Sequence, residues 1–490
     1  MARLARMLGL RSFPVLASDS PVRRLTPPAR CPQCGGQALD DSGQCISCDS
    51  GIQVLPSWAL QGRDRRLFTR RRIATAGIIA AAIAFLLWLN YPFLPDYRVL
   101  LFHRPTTEAT SASAPGQWTM AGGDLAQRKV ASVEHPTSGF PEGSLIWSVP
   151  TGQATRSGPV VADGRIYLGG HFKIMSLDAR TGTILWEEST PAPVQGSLAL
   201  AGGLLYAGLL DHRLQAMDPA TGEVVWESPA QDIITASPIV SDGIVYVGSW
   251  DGTEYALDAA TGEEIWTYQA TDSIGSHGPI QDGVMAVGDR NGRMHLLNAR
   301  TGQNRLVYRT PKSAYAAPVI AHDLVFFSAG GSLYAIDANE KEIPGQYQFK
   351  RVWAQLWLWQ VPGVPRPAKQ QGGRWRFSPE GADSSIVSSP AVGNSRLYTG
   401  DLDGRLFALD PLTGSEVWAT EVDGGVYASP IIAGDVLLVA TQQGRVYALD
   451  KESGTIIWEL ALGEAINEPL ALSDGVLFAR TADGRLHAIE

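Results

Sequence analysis

The sequence predicts an all-β protein, built over residues 118–490 as an eight-bladed β-propeller of four-stranded antiparallel blades. Three observations predict this fold. A unit of roughly forty residues recurs eight times. Turn pairs such as Asp-Gly and Thr-Gly separate the short apolar runs inside each unit. A strand that would complete the last unit stands ahead of the first. A cysteine motif and one long apolar run precede the repeats, so we also expect a small zinc ribbon and one transmembrane helix.

Each unit divides into four strands, A to D, which must pair as an antiparallel meander because every connection is short. In the first unit, strand A reaches the turn at Asp163-Gly164, and strand D contains Trp186. The strand-A positions recur every 39 to 41 residues, except after the fifth unit. These positions are Pro159, Leu198, Pro238, Pro279, Pro318, Pro390, Pro430 and Pro469. Strand-D tryptophans stand at Trp186, Trp226, Trp266, Trp418 and Trp458.

The eighth unit ends after strand C, at Glu490. Its missing strand D matches Gly143–Ser148, where Trp147 takes the place that Trp186 has in the first unit. Pairing of this strand with the last blade closes the ring and leaves no open edge. Closure favours a propeller over an open solenoid, which would need dedicated caps. We therefore add Trp147 to the five tryptophans expected to dock one blade on the next.

An insertion over residues 339–385 interrupts the fifth unit. It is rich in tryptophan and in basic residues, and part of it must supply strand D of that blade, which we place at Val352–Gln360. The remainder is a long loop on an otherwise regular ring, and such loops often carry function. Its candidate contact residues are Arg374, Trp375 and Arg376. An aromatic, basic loop on an acidic body suggests a protein, peptide or anionic surface as partner.

Residues 73–94 read as a transmembrane helix, because Ile73–Leu89 is uncharged and the whole stretch would be about 33 Å long as a helix. A buried core helix is the alternative. Six arginines stand close before the run and only Arg98 and Arg104 follow it. The positive-inside rule then places the N-terminus in the cytoplasm and the propeller outside it, on a bacterial cytoplasmic membrane. Residues 51–72 form a basic juxtamembrane linker, and 95–117 read as an extracytoplasmic stalk.

Four cysteines follow a basic segment, residues 1–30, and occur as two Cys-x-x-Cys pairs within residues 31–50: Cys31, Cys34, Cys45 and Cys48. Two such pairs on turns can supply four thiolates to a tetrahedral Zn²⁺, and the module resembles a zinc ribbon. Disulfides and free thiols are the alternatives; the inferred cytoplasmic side disfavours disulfides. A module this small has no core of its own, so the metal would supply its folding energy.

Charge argues against a nucleic-acid partner. Residues 1–94 contain 12 Arg and 5 Asp, a net charge of +7. Because the whole chain carries −9, residues 95–490 carry −16. Neutralising phosphates requires a basic face, which so acidic a body does not offer.

The repeated phrase Asp-x-x-Thr-Gly-x-x-x-Trp, as in Asp178 to Trp186, Asp258 to Trp266 and Asp410 to Trp418, resembles the tryptophan-docking motif of quinoprotein dehydrogenase propellers. The stretch from Trp118 to Asp124 is similar to the segment that leads into those propellers. The resemblance covers residues 117–490. It implies a fold in which each tryptophan docks on the neighbouring blade. The dehydrogenases of that family bind pyrroloquinoline quinone over the ring axis, with a Ca²⁺ site.

Two functions are compatible with this resemblance. Quinoprotein dehydrogenases oxidise alcohols or sugars, and typically have a Ca²⁺ site, an aspartate base and, in many members, an adjacent cysteine pair. The propeller here has no cysteine, and its histidines show no metal-ligand spacing, which argues against the quinone. The other function is that of the similar propeller lipoprotein that assists outer-membrane protein assembly, which binds a protein. We favour a non-catalytic binding scaffold, with the dehydrogenase as the alternative.

The loops from strand D to strand A approach one end of the central channel, where a ligand or partner would bind. The residues three positions before the strand-A positions include Arg156, Gln195, Tyr315 and Tyr427. These four could form a polar and aromatic mouth. The alternative, which fits these four residues equally well, is that they only help to close the blades and bind no ligand.

The cysteine motif yields the first test. Full-length protein purified in detergent should contain one zinc ion per chain by elemental analysis, because four thiolates complete a tetrahedral site. Cys31→Ser or Cys48→Ser should lose most of it, whereas Ser47→Ala, between two of the cysteines, should keep it. Metal content unchanged in both cysteine variants would contradict the ribbon.

Overall fold

A computed structural model describes residues 74–85, 96–111, 116–131, 143–276, 278–313, 316–343, 345–380 and 385–490. The chain divides into two units between Phe85 and Leu86. The described part of the first unit is helix α1, residues 74–85. Among the described residues, no helix is long and apolar enough to cross a membrane. The other residues of the predicted span, 73 and 86–94, and the four cysteines lie outside the described residues.

The second unit is the propeller. A short helix α2, Tyr97–Phe102, comes first, followed by strand β1, Val130–Ala131, and strand β2, Leu145–Pro150. Blade 1 consists of β3 Val160–Ala162, β4 Arg165–Gly170, β5 Lys173–Asp178 and β6 Ile184–Ser189. Blade 2 consists of β7 Ala199–Ala201, β8 Leu204–Gly208, β9 Arg213–Met217 and β10 Val224–Pro229. Blade 3 consists of β11 Ile239–Ser241, β12 Ile244–Gly248, β13 Thr253–Asp258 and β14 Glu264–Gln269.

The next three blades follow the same plan. Blade 4 consists of β15 Ile280–Gln281, β16 Val284–Gly288, β17 Arg293–Asn298 and β18 Asn304–Arg309. Blade 5 consists of β19 Val319–Ala321, β20 Leu324–Ala329, β21 Ser332–Asp337 and, after helix α3 Gln346–Leu358, β22 Gly373–Phe377. Blade 6 consists of β23 Ala391–Val392, β24 Leu397–Gly400, β25 Arg405–Leu409 and β26 Glu416–Glu421.

Two blades complete the ring. Blade 7 consists of β27 Ile431–Ala433, β28 Val436–Ala440, β29 Arg445–Asp450 and β30 Ile456–Ala461, with β1 added in parallel to β27. Blade 8 consists of β31 Ala471–Ser473, β32 Val476–Arg480, β33 Arg485–Ile489 and, from ahead of the repeats, β2. The predicted eight antiparallel blades are therefore confirmed.

Ring closure by the N-terminal strand is confirmed as well. Strand β2 pairs antiparallel with β33, so that Leu145 faces Ile489 and Pro150 faces Arg485. The backbones of Ser144 and Glu490 exchange two hydrogen bonds of 2.9 Å just beyond the strand. The ring is therefore closed by a sheet ladder instead of by side chains alone.

Strand-D tryptophans dock seven of the eight blades on the next blade. The indole N–H of Trp226 donates to Ala259 O in blade 3 at 3.1 Å, and the same oxygen accepts from Tyr206 OH at 3.0 Å. A Cβ added to Gly262 would lie 2.6 Å from the Trp226 ring, so the ring rests on the backbone of the turn. The other indole bonds run from Trp147, Trp186, Trp266, Trp375 and Trp418 to Ala179, Pro219, Ala299, Pro411 and Lys451.

The Asp-x-x-Thr-Gly motif builds several of the turns on which the tryptophans rest. In blade 1, Asp178 Oδ1 accepts hydrogen bonds from the Arg180 and Thr181 backbone N–H groups and from the Thr181 hydroxyl. These bonds, chiefly those from Thr181, hold the pKa of Asp178 below its usual value. The repeated aspartates are thus turn residues that prepare the docking surface.

The position expected for strand D of blade 5 is wrong. Residues 352–358 lie in α3, and the strand is β22, where Trp375 takes the docking position. The insertion separates strand C from strand D, so the Asp-x-x-Thr-Gly spacing that marks the other turns is absent here. In blade 4, Leu306 replaces the tryptophan. It packs closely on Gly372, since a Cβ added to that glycine would lie 2.9 Å from Leu306.

The segment expected to be a stalk, residues 95–117, differs from a plain linker. It contains α2, and its later part lies against blade 3. The Thr106 backbone N–H donates to Asp258 Oδ2 at 2.5 Å, and Gly243 N donates to Ala109 O at 2.7 Å. The chain is therefore fastened to the ring well before the first repeat.

The docking contact predicts that alanine substitutions at two glycines of blade 4 lower the unfolding free energy by different amounts. Gly302→Ala adds a Cβ 2.4 Å from the Trp266 ring, whereas Gly283→Ala adds one with nothing within 4 Å; φ is +69° and +72°, respectively. Both variants carry the left-handed strain of about 1 kcal/mol. Gly302→Ala should lose roughly 1–3 kcal/mol more of unfolding free energy, because overpacking adds to that strain. Urea unfolding of the full chain in detergent measures both. Equal losses would mean that the indole contact is not tight.

Candidate functional site

The loops from strand D to strand A meet at one end of the ring axis and line a cavity of about 1030 Å³, which we call the funnel. The loops converge because every strand A is innermost and begins at that end. Residues from the loops of all eight blades take part. Most of the polar lining consists of hydroxyl and amide side chains, among them Thr155, Ser197, Thr235, Ser276, Ser388 and Asn467. A neutral, hydrogen-bonding lining is suited to a polar surface more than to a highly charged one.

Three of the four predicted mouth residues line the funnel: Arg156, Gln195 and Tyr427. Arg156 is exposed and Tyr427 is 40 % exposed, so both are open to a ligand. Tyr315 lies outside the described residues. The structure brings the three residues into one cavity but does not assign them a role.

The three candidate residues of the insertion lie elsewhere, in β22 on the outer edge of blade 5. Trp375 donates to Pro411 O of blade 6 at 2.9 Å and therefore stands as a docking residue. Arg374 pairs with Asp337. Arg376 donates to Ser332 Oγ at 2.9 Å. All three are thus engaged with the ring.

Sequence reasoning missed the contribution of the turns between strands B and C, because it considered only the D-to-A loops. Trp250 is 39 % exposed, and its indole N–H donates to Thr235 Oγ1, on the funnel wall, at 2.9 Å. The Arg290 guanidinium lies 4.8 Å over the Trp250 ring. The sequence does carry a signal for this part of the funnel's edge, which we call the rim. Blade 3 has Trp250 in the turn Gly-Ser-Trp-Asp-Gly, at the position where blade 2 has Leu210.

The floor of the funnel is the segment 116–131, which we call the plug. Its backbone bonds to the innermost strands of six blades: Trp118 to Val161, Thr119 to Leu200, Leu125 to Ile280, Ala126 to Ile320, Arg128 to Val392 and Lys129 to Ile432. Ser111 N donates to Val240 O in blade 3, and Gly116 O accepts from the Ser473 hydroxyl in blade 8. The lead-in chain thus contacts every blade and closes one end of the channel.

A buried amine belongs to this floor. Lys129 lines the funnel yet is only 5 % exposed, and its Nζ donates to Gln127 O at 2.9 Å. Burial lowers the pKa of Lys129 from 10.5 to about 7, although Asp124 acts in the opposite direction. Gln127 and Lys129 both have positive φ, 60° and 59°, so the plug holds a strained backbone at this point.

The wall also contains a buried pair, at the seam between blades 8 and 1. Arg480 donates to Thr151 Oγ1, Gly169 O and Gln153 O, each at 3.1 Å. Glu468 faces it with 3.8 Å between Oε2 and the guanidinium, too long for a hydrogen bond. Burial raises the pKa of Glu468 to about 8 despite the Arg480 charge. Near neutral pH the carboxyl is therefore mostly protonated.

These groups define what the funnel can do chemically. Glu468 is the one carboxyl among its described lining residues, and it is mostly uncharged near neutral pH. Among the residues that the structure describes, no three His, Cys, Asp or Glu side chains lie together as metal ligands. The arrangement offers hydrogen bonds and an aromatic and arginine rim, which are features of recognition surfaces.

Comparison with protein-family models gave a match over the propeller. The model described as outer membrane protein assembly factor BamB matches residues 130–272, 251–371, 367–439 and 430–490. Comparison with curated proteins gave no match. The matched ranges together span the whole ring, from β1 to the last strand.

Comparison with solved structures gave matches at low identity. BamB from Moraxella catarrhalis is 17 % identical with a TM-score of 0.54, and the match covers 70 % of this chain and 96 % of that one. Quinohemoprotein alcohol dehydrogenase from Comamonas testosteroni is 16 % identical with a TM-score of 0.60, covering 83 % of each chain. The computationally designed Ika8 protein is 16 % identical with a TM-score of 0.58, covering 71 % and 99 %. These likenesses show the fold alone.

The buried amine predicts a pH-dependent stability. Between pH 7 and 10.5 the unfolded chain holds a proton that folded Lys129 lacks, so stability rises with pH across that window, and the full cost of burial is present below it. Lys129→Met should therefore raise the unfolding free energy at pH 6 by roughly 2 kcal/mol and by less at pH 10. Lys312→Met, at an exposed lysine, is the matched control for the loss of a lysine side chain. If Lys129→Met raised the unfolding free energy equally at pH 6 and pH 10, the pKa of Lys129 would not be lowered in the folded protein.

Proposed function

Since the chain belongs to the family described as outer membrane protein assembly factor BamB, we propose that it is a membrane-anchored, non-catalytic scaffold whose funnel binds a protein partner. The propeller lies outside the cytoplasm and contributes to envelope assembly or to the organisation of a complex. Residues 73–94 anchor it in the cytoplasmic membrane, and the four cysteines hold a structural Zn²⁺ on the cytoplasmic side.

The observation that supports partner binding is the rim of the funnel. Tyr427, Trp250, Arg156 and Arg290 are exposed around a cavity lined mostly by neutral polar groups. Tyrosine, tryptophan and arginine are the residues most often found as energetic anchors of protein interfaces. Serine, threonine and glutamine side chains in the wall can pair with the backbone of an inserted loop or strand.

The dehydrogenase alternative fits the described residues poorly. A quinone with bound Ca²⁺ requires carboxylate ligands and a charged aspartate base near the axis. Glu468, the carboxyl among the described lining residues, is held mostly protonated at neutral pH and faces Arg480. Ca²⁺ prefers several ionised or carbonyl oxygens at once, and the lining residues that the structure describes supply one carboxyl, that of Glu468. The resemblance to quinohemoprotein alcohol dehydrogenase concerns the fold.

The membrane anchor is supported by the sequence. An uncharged run over residues 73–89 follows a cluster of arginines, and the chain beyond it is acidic. Protease added to intact spheroplasts should therefore digest the propeller and spare the cysteine motif.

The funnel proposal is tested by photocrosslinking in native membranes. A photoreactive residue at Gln195, on the funnel wall, should form a covalent adduct with a protein. Tyr427→Ala or Trp250→Ala should reduce this adduct on the order of tenfold, because losing one anchor costs about 1–2 kcal/mol.

Leu412 supplies the control, since it is 64 % exposed and lies in a turn between strands C and D, on the opposite end of the ring. Leu412→Ala should leave the Gln195 adduct unchanged. Saturable binding of pyrroloquinoline quinone with Ca²⁺ and dye reduction by an alcohol, without any adduct, would overturn the scaffold in favour of the enzyme.

A further inference from the structure

Helix α3 exposes an apolar stripe. Phe349, Val352, Leu356 and Trp359, the last at the C-cap, follow one another at i, i+3, i+7 and i+10, so they lie along one side. They are 65 %, 60 %, 36 % and 68 % exposed, respectively. Large apolar side chains in a continuous exposed row mark an interaction site on a soluble domain.

Other contacts hold the helix against blade 4 and leave this stripe open. The Arg309 guanidinium of β18 lies 3.6 Å over the Tyr347 ring. Just ahead of the helix, Glu342 N donates to Arg305 O at 2.7 Å. The Trp353 indole donates to Pro365 O at 2.8 Å, within the insertion. The stripe is therefore presented on a fixed element.

The helix and the loop after it are basic. Residues 346–371 contain Lys350, Arg351, Arg366 and Lys369 and no Asp or Glu, although residues 95–490 as a whole carry −16. A cluster of basic side chains on an otherwise acidic propeller favours an anionic partner. Repulsion then turns the acidic remainder of the propeller away from that partner. Basic residues combined with exposed Phe, Leu and Trp are the composition of helices that lie in a membrane interface.

A second exposed apolar helix lies beside the same blade. Val99 of α2 packs against the core that blades 2 to 4 share. The Arg300 guanidinium of blade 4 donates twice, at 3.3 and 3.2 Å, to His103 O at the end of α2. The exposed residues of α2 are Tyr97, Leu101 and Phe102, at 59 %, 61 % and 77 %. Helix α2 comes directly after the predicted span, residues 73–94.

We propose that the side of the ring at blade 4, through the α3 stripe and α2, rests on a bilayer surface that carries anionic headgroups. The apolar side chains enter the boundary between headgroups and acyl chains, tryptophan lies at headgroup level, and the basic residues contact lipid phosphates. The inference rests on the proposed membrane anchorage, which brings α2 to the membrane. It assigns the propeller a defined orientation with the ring edge towards the lipid.

The test uses the full-length protein in nanodiscs of phosphatidylcholine alone or mixed with phosphatidylglycerol, followed by hydrogen exchange. Amides of residues 346–361 should exchange more slowly in the anionic discs, by about fivefold or more if each basic side chain contributes about 1 kcal/mol. Neutralising Lys350, Arg351, Arg366 and Lys369 to Gln should abolish the difference between the two lipids. Phe349→Ser with Trp359→Ser should remove the protection in both.

The matched control is Leu412→Ser with Val417→Ser, which removes two exposed apolar side chains (64 % and 44 %) from blade 6. It should leave the protection of residues 346–361 unchanged. Melting temperatures of all variants should remain near wild type, because the side chains concerned are at the surface.

Separate outcomes distinguish failure of the anchor from failure of the surface. Protein that does not float with vesicles in high salt has no anchor, and the proposed function falls with it. Protein that floats but shows the same exchange in both lipids overturns the surface proposal alone. A photoreactive residue at Val352 should label lipid; a protein adduct or a crosslinked pair of chains there would overturn the lipid assignment in favour of that occupant.

Discussion

The contact between a strand-D tryptophan and the glycine turn of the next blade is the interaction on which the ring depends. Sheet hydrogen bonds hold strands within a blade, whereas neighbouring blades meet through side chains and this turn. The face of the indole packs on the glycine, and the indole N–H donates a hydrogen bond to a carbonyl oxygen. Trp226 makes these two contacts with Gly262 and Ala259. The closing strand carries both halves of the contact, since Gly143 lies under Trp458 and Trp147 rests on Gly182. One short segment therefore completes two seams.

The repeat made most of this fold predictable. The spacing of the repeat predicts eight blades, the order of their strands and closure of the ring by Gly143–Ser148. Prediction failed in blade 5 because the signal is the short distance from Asp to Trp, and the insertion lengthens it from Asp337 to Trp375. A helix with an exposed apolar stripe has the same residue types as a strand, so composition did not separate the two.

The funnel was predictable only in part. Position within the repeat located Arg156, Gln195 and Tyr427, because equivalent positions in every unit reach the same end of the axis. Lys129 had no such signal, since the plug lies outside the repeat and has no equivalent in any blade. The states of Lys129 and Glu468 follow from burial, which depends on how the plug and blade 8 pack. Burial moves the pKa of each of these two groups towards its uncharged form, which is consistent with hydrogen bonds and aromatic contacts as the funnel's means of recognition.

The plug has a mechanical consequence. A chain that joined the ring only at β2 would transmit a pull from its N-terminal side to a single blade, and the bonds would break one after another, as in peeling. Here the pull first meets the bonds of residues 103–111 to blades 3 and 4, and then the backbone hydrogen bonds between residues 116–131 and the innermost strands of six blades. The load is therefore passed to strands of several blades instead of to a single blade. The ring is thereby suited to remain folded while its tether is under force.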